Sequence, residues 1–141
     1  MGQTSGVPIT AYLSDEWIAS NAAEVARNSD QLWFAGGGVT IGLTNVVTDV
    51  MPNPEQVVYH LSAGDGTVRI GPGPAQPEHV RLRQSRATAI AVVTGALSAQ
   101  EAFIRGDVVV RGDQQRLLDA RPLFVALDRV LAPVREQTTY A

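Results

Sequence analysis

The chain contains no cysteine and no lysine, and each absence removes a body of chemistry. Without cysteine there is no disulfide framework, no thiolate nucleophile and no sulfur-ligated structural zinc. Without lysine there is no Schiff-base catalysis, and the triplet Gly36, Gly37 and Gly38 lacks the lysine that completes a Walker phosphate loop. Nor is the triplet a dinucleotide loop, since a strand rather than a helix follows it; it reads as a sharp entry into that strand. Positive charge is scarce as well. Eleven basic residues, all arginine, stand against fourteen acidic ones, so a net charge of −3 leaves no field to draw the protein to nucleic acid. No run of about 18 apolar residues exists to span a bilayer. The first eight residues have neither the basic start nor the apolar stretch of a signal peptide, which predicts a cytoplasmic protein.

The residues that remain form no catalytic constellation. His60 and His79 are the only histidines, and neither has a carboxylate or histidine partner at ligand spacing, so they read as exposed strand and loop residues and no metal is expected. There is no G-x-S-x-G elbow, and Ser62, Ser85 and Ser98 fall where turns and helix caps account for them. Arg111, Gly112 and Asp113 spell an adhesion tripeptide, but the Gly-Asp pair already serves a strand-to-helix turn. Arg81, Arg83 and Arg86 form a basic run suited to a lipid head group or an acidic partner, or simply to a solvated strand face. Trp33 and Phe34, two of only eight aromatics, are either core or a contact site for a partner, a twin subunit or a membrane surface.

Periodicity supplies the elements. Residues 1–13 read as a loose arm. Ser14 is a good N-cap, Asp15 and Glu16 suit the first turn, and Trp17, Ile18, Ala22, Val25 and Ala26 make a helical stripe as far as Arg27. Residues 28–31 break that pattern before the Leu32, Trp33, Phe34 cluster. From Val39 the period becomes two, with Val39, Ile41 and Leu43 alternating against Thr40, Gly42 and Thr44, as in a half-buried strand. Pro52 and Pro54 suggest a turn. Residues 57–70 read as an antiparallel hairpin about Asp65-Gly66, and residues 71–77, with three prolines and two glycines, as a surface loop. Val80 and Leu82 alternate with Arg81 and Arg83 in a short strand. Residues 88–93 could be a buried strand or helix by pattern alone; alanine content and Gly95 favour a helix. Residues 114–134 predict two short helices or one kinked at Pro122, and residues 136–141 a tail.

Residues 95–113 carry the most specific pattern. Ser98 and Glu101 have capping-box spacing, so a helix starts at Ala99; Gly106 ends it; Val108 to Val110 form a short buried strand; Gly112 and Asp113 turn into the next helix. The order of Gly95, Leu97, Ala102, Phe103, Gly106, Val108, Val110, Gly112 and Asp113 resembles the sterol carrier protein 2 family of lipid-binding domains, with a looser likeness from about Val39 to Leu131. Asp107 departs from it, where the family often has a basic residue.

The resemblance implies one α+β domain over residues 14–135: a five-stranded, mostly antiparallel twisted sheet covered on one face by N- and C-terminal helices, with a hydrophobic cavity between the layers. The expected activity is non-catalytic binding or carriage of a lipid, without a cofactor. The pocket residues expected are Leu97, Phe103, Ile104, Val108, Val110, Phe124, Leu127 and Leu131. Transient membrane contact is compatible with it; the alternative is the same fold with its cavity filled, serving as an interaction or dimerisation module that self-associates through Trp33 and Phe34.

Overall fold

The computed structural model describes residues 9–50 and 56–140. Helix α1 (Asp15–Arg27) starts where the sequence predicts, with the Ser14 hydroxyl accepting the Trp17 N–H, and α2 (Ser29–Ala35) follows after a break of one residue at Asn28. The expected break at residues 28–31 is therefore corrected: only Asn28 leaves the helical path. Strands β2 (Ile41–Thr48), β3 (Gln56–Gly64), β4 (Thr67–Pro72) and β5 (Val80–Ser85) come next, β1 (Thr10–Ala11) having preceded α1. The Asp65-Gly66 turn, with both residues at positive φ, joins β3 to β4 as expected. The turn expected at Pro52 and Pro54 lies outside the described residues.

Helix α3 (Arg86–Val93) settles the ambiguous apolar run as helix, capped by Ser85. The 95–113 segment forms α4 (Ala99–Ile104), with Ser98 accepting the Glu101 N–H, and then β6 (Val108–Gly112). Asp113 caps α5 (Gln114–Asp119), and two further helices follow, α6 (Arg121–Val130) and α7 (Ala132–Glu136). Three short helices thus replace the two expected. Pro122 and Pro133 each sit in a first turn, where the missing N–H costs nothing. Strand β7 (Thr138–Thr139) closes the chain.

The main sheet runs β4-β3-β2-β5-β6, antiparallel except for the central β2–β5 pair. Because β2 is central, it is buried on both faces and not half-buried as its alternation suggested. Ile41, Leu43 and Val47 pack under the helices. Gly42 and Thr44 face the other way and are covered by the proline-rich loop, where the Ala75 N–H donates to Thr44 Oγ1 at 3.0 Å. Both histidines hold that loop. The Gly42 N–H donates to His79 Nδ1 at 2.8 Å, and His60 Nδ1 lies 3.0 Å from the Gly73 carbonyl. The reading of the histidines as free exposed side chains is thereby corrected. Strand β6, by contrast, is an edge strand and not a buried one.

The ends are tied together. β1 pairs in parallel with β7, and Tyr12 and Leu13 are 8% and 4% exposed, so residues 10–13 are not a loose arm. Nor are residues 138–140 a tail: Tyr140 packs on Tyr12, ring centroids 5.1 Å apart, and the Tyr140 carbonyl accepts from Arg86 at 3.0 Å. The basic run is dispersed in the same way, with Arg81 paired to Glu78 and Arg83 left exposed on the outer face. Gly112 answers the adhesion tripeptide, since a Cβ there would lie 2.3 Å from the His79 carbonyl oxygen.

Candidate functional site

The helix-facing side of the sheet is built in rows across the strands. One row is Leu61, Leu43 and Val80; the next is Tyr59, Asn45, Leu82 and Val110; the third is Val57, Val47, Gln84 and Val108. The first row belongs to a core cluster with Val25, Leu32, Leu123 and Leu127, and Val47 belongs to a second cluster with Tyr12, Trp17, Ile18 and Val134. Between them lies Asn45, half-buried although its inward neighbours Leu43 and Val47 are 5% and 0% exposed. A polar side chain on the covered face of a central strand that solvent still reaches marks a gap in the packing. Asn45 and Gln84 thus form a polar seam between two apolar clusters.

The packing on either side is unequal. Toward β4 the layers are sealed: Val25, Leu32, Ile41, Val68 and Leu123 are all at 1% exposure or less. Toward β5 and β6 the facing residues Leu82, Val108, Val110, Phe124 and Leu131 are half-buried, and Leu131 packs against both clusters. At the far end an aromatic wall closes the second cluster: Tyr12 on Trp17 at 4.9 Å and Trp17 on Tyr59 at 5.4 Å, both edge-on. Burial pushes the Tyr59 hydroxyl up to about 12 and raises that of Tyr12 further, the latter with help from the neighbouring tyrosines.

Of the expected pocket residues, the structure brings Val110, Phe124, Leu127 and Leu131 into one cluster, with Leu127 at 7% exposure and the others half-buried around it. Val108 pairs with Gln84 at the seam. Leu97 is half-buried beside α3, its N–H bonded to the Ala91 carbonyl, and belongs to neither cluster. Phe103 and Ile104 are 46% and 74% exposed, and their placement between the layers is corrected. The six-residue α4 buries only Ala102, and the two larger side chains fall on its outer side. The Trp33 and Phe34 pair divides: Trp33 packs on the first cluster, while Phe34 is 87% exposed.

Asn45 and Gln84 were not among the expected residues. The signal was present as an interrupted alternation, Ile41, Leu43, Asn45, Val47 in one strand and Val80, Leu82, Gln84 in another. Two surface grooves lie apart from these polar residues. One, of about 420 Å³, runs between α2 and α6 along Ala35, Pro122, Val125 and Ala126, flanked by Arg121 and Arg129. The other, of about 360 Å³, opens between α3 and α7, and two of its residues, Val93 and Tyr140, also pack on the second cluster. Among the described residues, no cluster of histidine and carboxylate side chains could hold a metal, and no helix is long and apolar enough to cross a membrane.

The described residues form a two-layer α+β domain whose apolar interior is sealed toward β4 and only half-buried toward β5 and β6. The model of the SCP-2 sterol transfer family matches residues 42–125, more than half of the chain, and the protein belongs to that family. A crystal structure of sterol carrier protein 2 superposes with a TM-score of 0.62 at 19% identity, covering 89% of this chain and 98% of that one. Sterol carrier protein domain 2 of Helicoverpa armigera gives 0.59 at 16%, covering 90% and 96%, and the apo sterol carrier protein 2 of Yarrowia lipolytica gives 0.56 at 15%, covering 82% and 84%. The sec-alkylsulfatase Pisa1 from Pseudomonas sp. also matches, at 0.53 and 21%, over 74% of this chain but 15% of its own. These likenesses establish the fold. No curated protein sequence matches the chain.

Proposed function

We propose that the protein binds and carries a single apolar or amphipathic molecule between the sheet and the C-terminal helices, without a covalent step. The observation that supports this most directly is the split core. Leu82, Val108, Val110, Phe124 and Leu131 are half-buried on the β5 and β6 side, while the first cluster is sealed toward β4. Apolar groups left half-wet inside a domain are unfavourable, and an acyl or ring system inserted among them removes that surface from water. At roughly 0.8 kcal/mol per buried CH₂, a twelve-carbon chain gains on the order of 10 kcal/mol before the cost of ordering it. The groove between α3 and α7 adjoins the second cluster through Val93 and Tyr140 and serves as the entrance. Apolar contact alone is non-directional and sets no chemical identity.

The test is native mass spectrometry of the purified protein, then solvent extraction and identification of what is released. A stoichiometric lipid, or uptake of one equivalent from a panel of fatty acids, fatty alcohols, phospholipids and sterols, is the expected result. A clean unliganded mass unchanged by the whole panel refutes carriage.

A further inference from the structure

The five-stranded sheet has two edges, and the chain treats them differently. At β4 the edge is defended: α1 and α2 pack against it, the Val68 N–H donates to Ser29 Oγ at 2.8 Å, and the strand runs out in Pro72. At β6 nothing comparable is found among the described residues. The Asp113 N–H donates to the His79 carbonyl at 2.9 Å, and following the β5–β6 register from that bond makes Arg81 with Arg111, and Arg83 with Val109, the hydrogen-bonded pairs. The N–H and carbonyl groups of Val108, Val110 and Gly112 therefore point away from β5, and no loop or helix backbone among the described residues takes them up. A free row of backbone donors and acceptors on a β-branched strand is a template for one more strand. Unpaired charge beside this edge is of one sign. On the outer face Arg111 stands opposite Arg81 and Val109 opposite Arg83, which sets Arg83 and Arg111 on a diagonal. Both are exposed and neither has an ion pair among the described residues, whereas Arg81 is held by Glu78. The carboxylates that flank β6, Asp107 and Asp113, are engaged by Arg105 and Arg116 at 3.3 and 3.4 Å. Apolar surface adjoins them: Val109 is 42% exposed, and α4, which packs on β6, leaves Phe103 and Ile104 outside.

We propose that the free edge of β6 receives an extended segment of a partner protein in which carboxylates alternate with apolar residues. The backbone of β6 supplies the ladder, Arg83 and Arg111 meet the carboxylates on the outer face, and the intervening apolar residues fall on the side of Val108 and Val110. A second copy of this chain fits worse. Its β6 would bring the same two arginines onto the same face of the joined sheet, and the carboxylates beside the strand are already engaged. The inference is independent of lipid carriage, since it uses only the strand backbone and outer-face side chains.

The experiment is fluorescence anisotropy of short fluorescein-labelled peptides titrated with the full chain. The probe alternates glutamate with valine. One control replaces glutamate with lysine; two others carry N-methyl groups, on the valine amides, which blocks an antiparallel ladder, or on the glutamate amides, which blocks a parallel one. The expected result is saturable binding of the probe, with the lysine peptide and one of the two methylated peptides each weaker by about tenfold or more, and the other methylated peptide unchanged. Arg83→Glu combined with Arg111→Glu should weaken the probe about tenfold and leave the circular dichroism spectrum as it was. Should that variant fail to fold, Arg83→Gln with Arg111→Gln carries the same comparison with a smaller loss. Equal binding of the two methylated peptides means attraction by charge alone and overturns the added strand. So do an affinity indifferent to both arginines and a failure of the probe to bind. A dimer in sedimentation velocity that blocks uptake of the probe gives the edge to a second copy and overturns the partner.

Discussion

Gly42 is the position at which the fold has least room, and Gly42→Ala should cost more than a surface methyl suggests. A Cβ built there would sit 1.8 Å from the Pro77 carbonyl oxygen and 3.3 Å from the Ala75 Cβ. Since β2 is held on both sides by β3 and β5, the loop over residues 73–79 must give way and not the strand. Moving it by more than an ångström breaks the Gly42 N–H to His79 Nδ1 bond, the His79 N–H to Gly42 carbonyl bond and the Ala75 N–H to Thr44 Oγ1 bond. At about 1 kcal/mol each the loss is about 3 kcal/mol, and at about 3 °C per kcal/mol for a chain of this size the melting temperature should fall by about 9 °C. Differential scanning fluorimetry reads it. Gly64→Ala is the control, because its nearest neighbour would be Thr40 Cγ2 at 3.7 Å and its melting temperature should barely move. Ligand binding by the folded Gly42→Ala fraction should be unaffected, since the loop and the seam lie on opposite faces of the sheet. A melting temperature within about 2 °C of the parent would refute the close approach of loop and strand.

Leu32→Ala, at 1% exposure in the sealed cluster, should cost about 2–5 kcal/mol by urea denaturation, whereas Phe34→Ser, two residues on and 87% exposed, should stay within about 0.5 kcal/mol. Asp113→Ala removes the acceptor of the Arg116 N–H and should lower the midpoint of urea denaturation. That backbone N–H holds the Asp113 carboxyl below its usual range, so the cap's contribution is present at neutral pH and lost as pH falls through the lowered value. The tyrosines act in the other direction. With the folded Tyr59 hydroxyl at about 12, the unfolded chain gives up its proton first, so stability is full below about pH 10 and declines from there to pH 12. The Tyr59 share of that decline is on the order of 2–3 kcal/mol, and Tyr59→Phe should reduce the alkaline loss measured by circular dichroism against pH.

The elements that were legible in the sequence are those whose instructions are local. Ser14, Ser98 and Asp113 each cap a helix through their own side chain, Asp65-Gly66 turns one hairpin, and Gly106 takes positive φ where α4 ends. What was misjudged depends on partners far along the chain. Thr10 and Ala11 look like a loose arm until Thr138 and Thr139 are beside them, and β2 looks half-buried because the loop that covers Gly42 and Thr44 lies more than thirty residues on. His60 and His79 read as surface residues for the same reason. The capping, turn and termination signals of residues 95–113 place β6 correctly in order, but no local signal says that it is an edge strand or that α4 buries Ala102 and leaves Ile104 outside.

The site is harder to read than the fold because it is a deviation and not a motif. A lipid seat has no fixed spacing of reactive groups; it is made wherever two layers meet imperfectly, and the meeting depends on register. Asn45 alone is one polar letter in an apolar strand, and Gln84 alone ends an alternating run before a helix cap. Only the pairing of Leu82 with Asn45 and of Gln84 with Val47 sets the two amides side by side, with one cluster before them and the other behind. Had either been leucine, apolar packing could have continued across the seam. Keeping two uncharged polar groups there sacrifices apolar burial at the centre of the sheet, a cost that packing alone gives no reason to bear. Leucine at Gln84, whose side-chain oxygen is buried without a donor among the described residues, should therefore raise the melting temperature read by differential scanning fluorimetry.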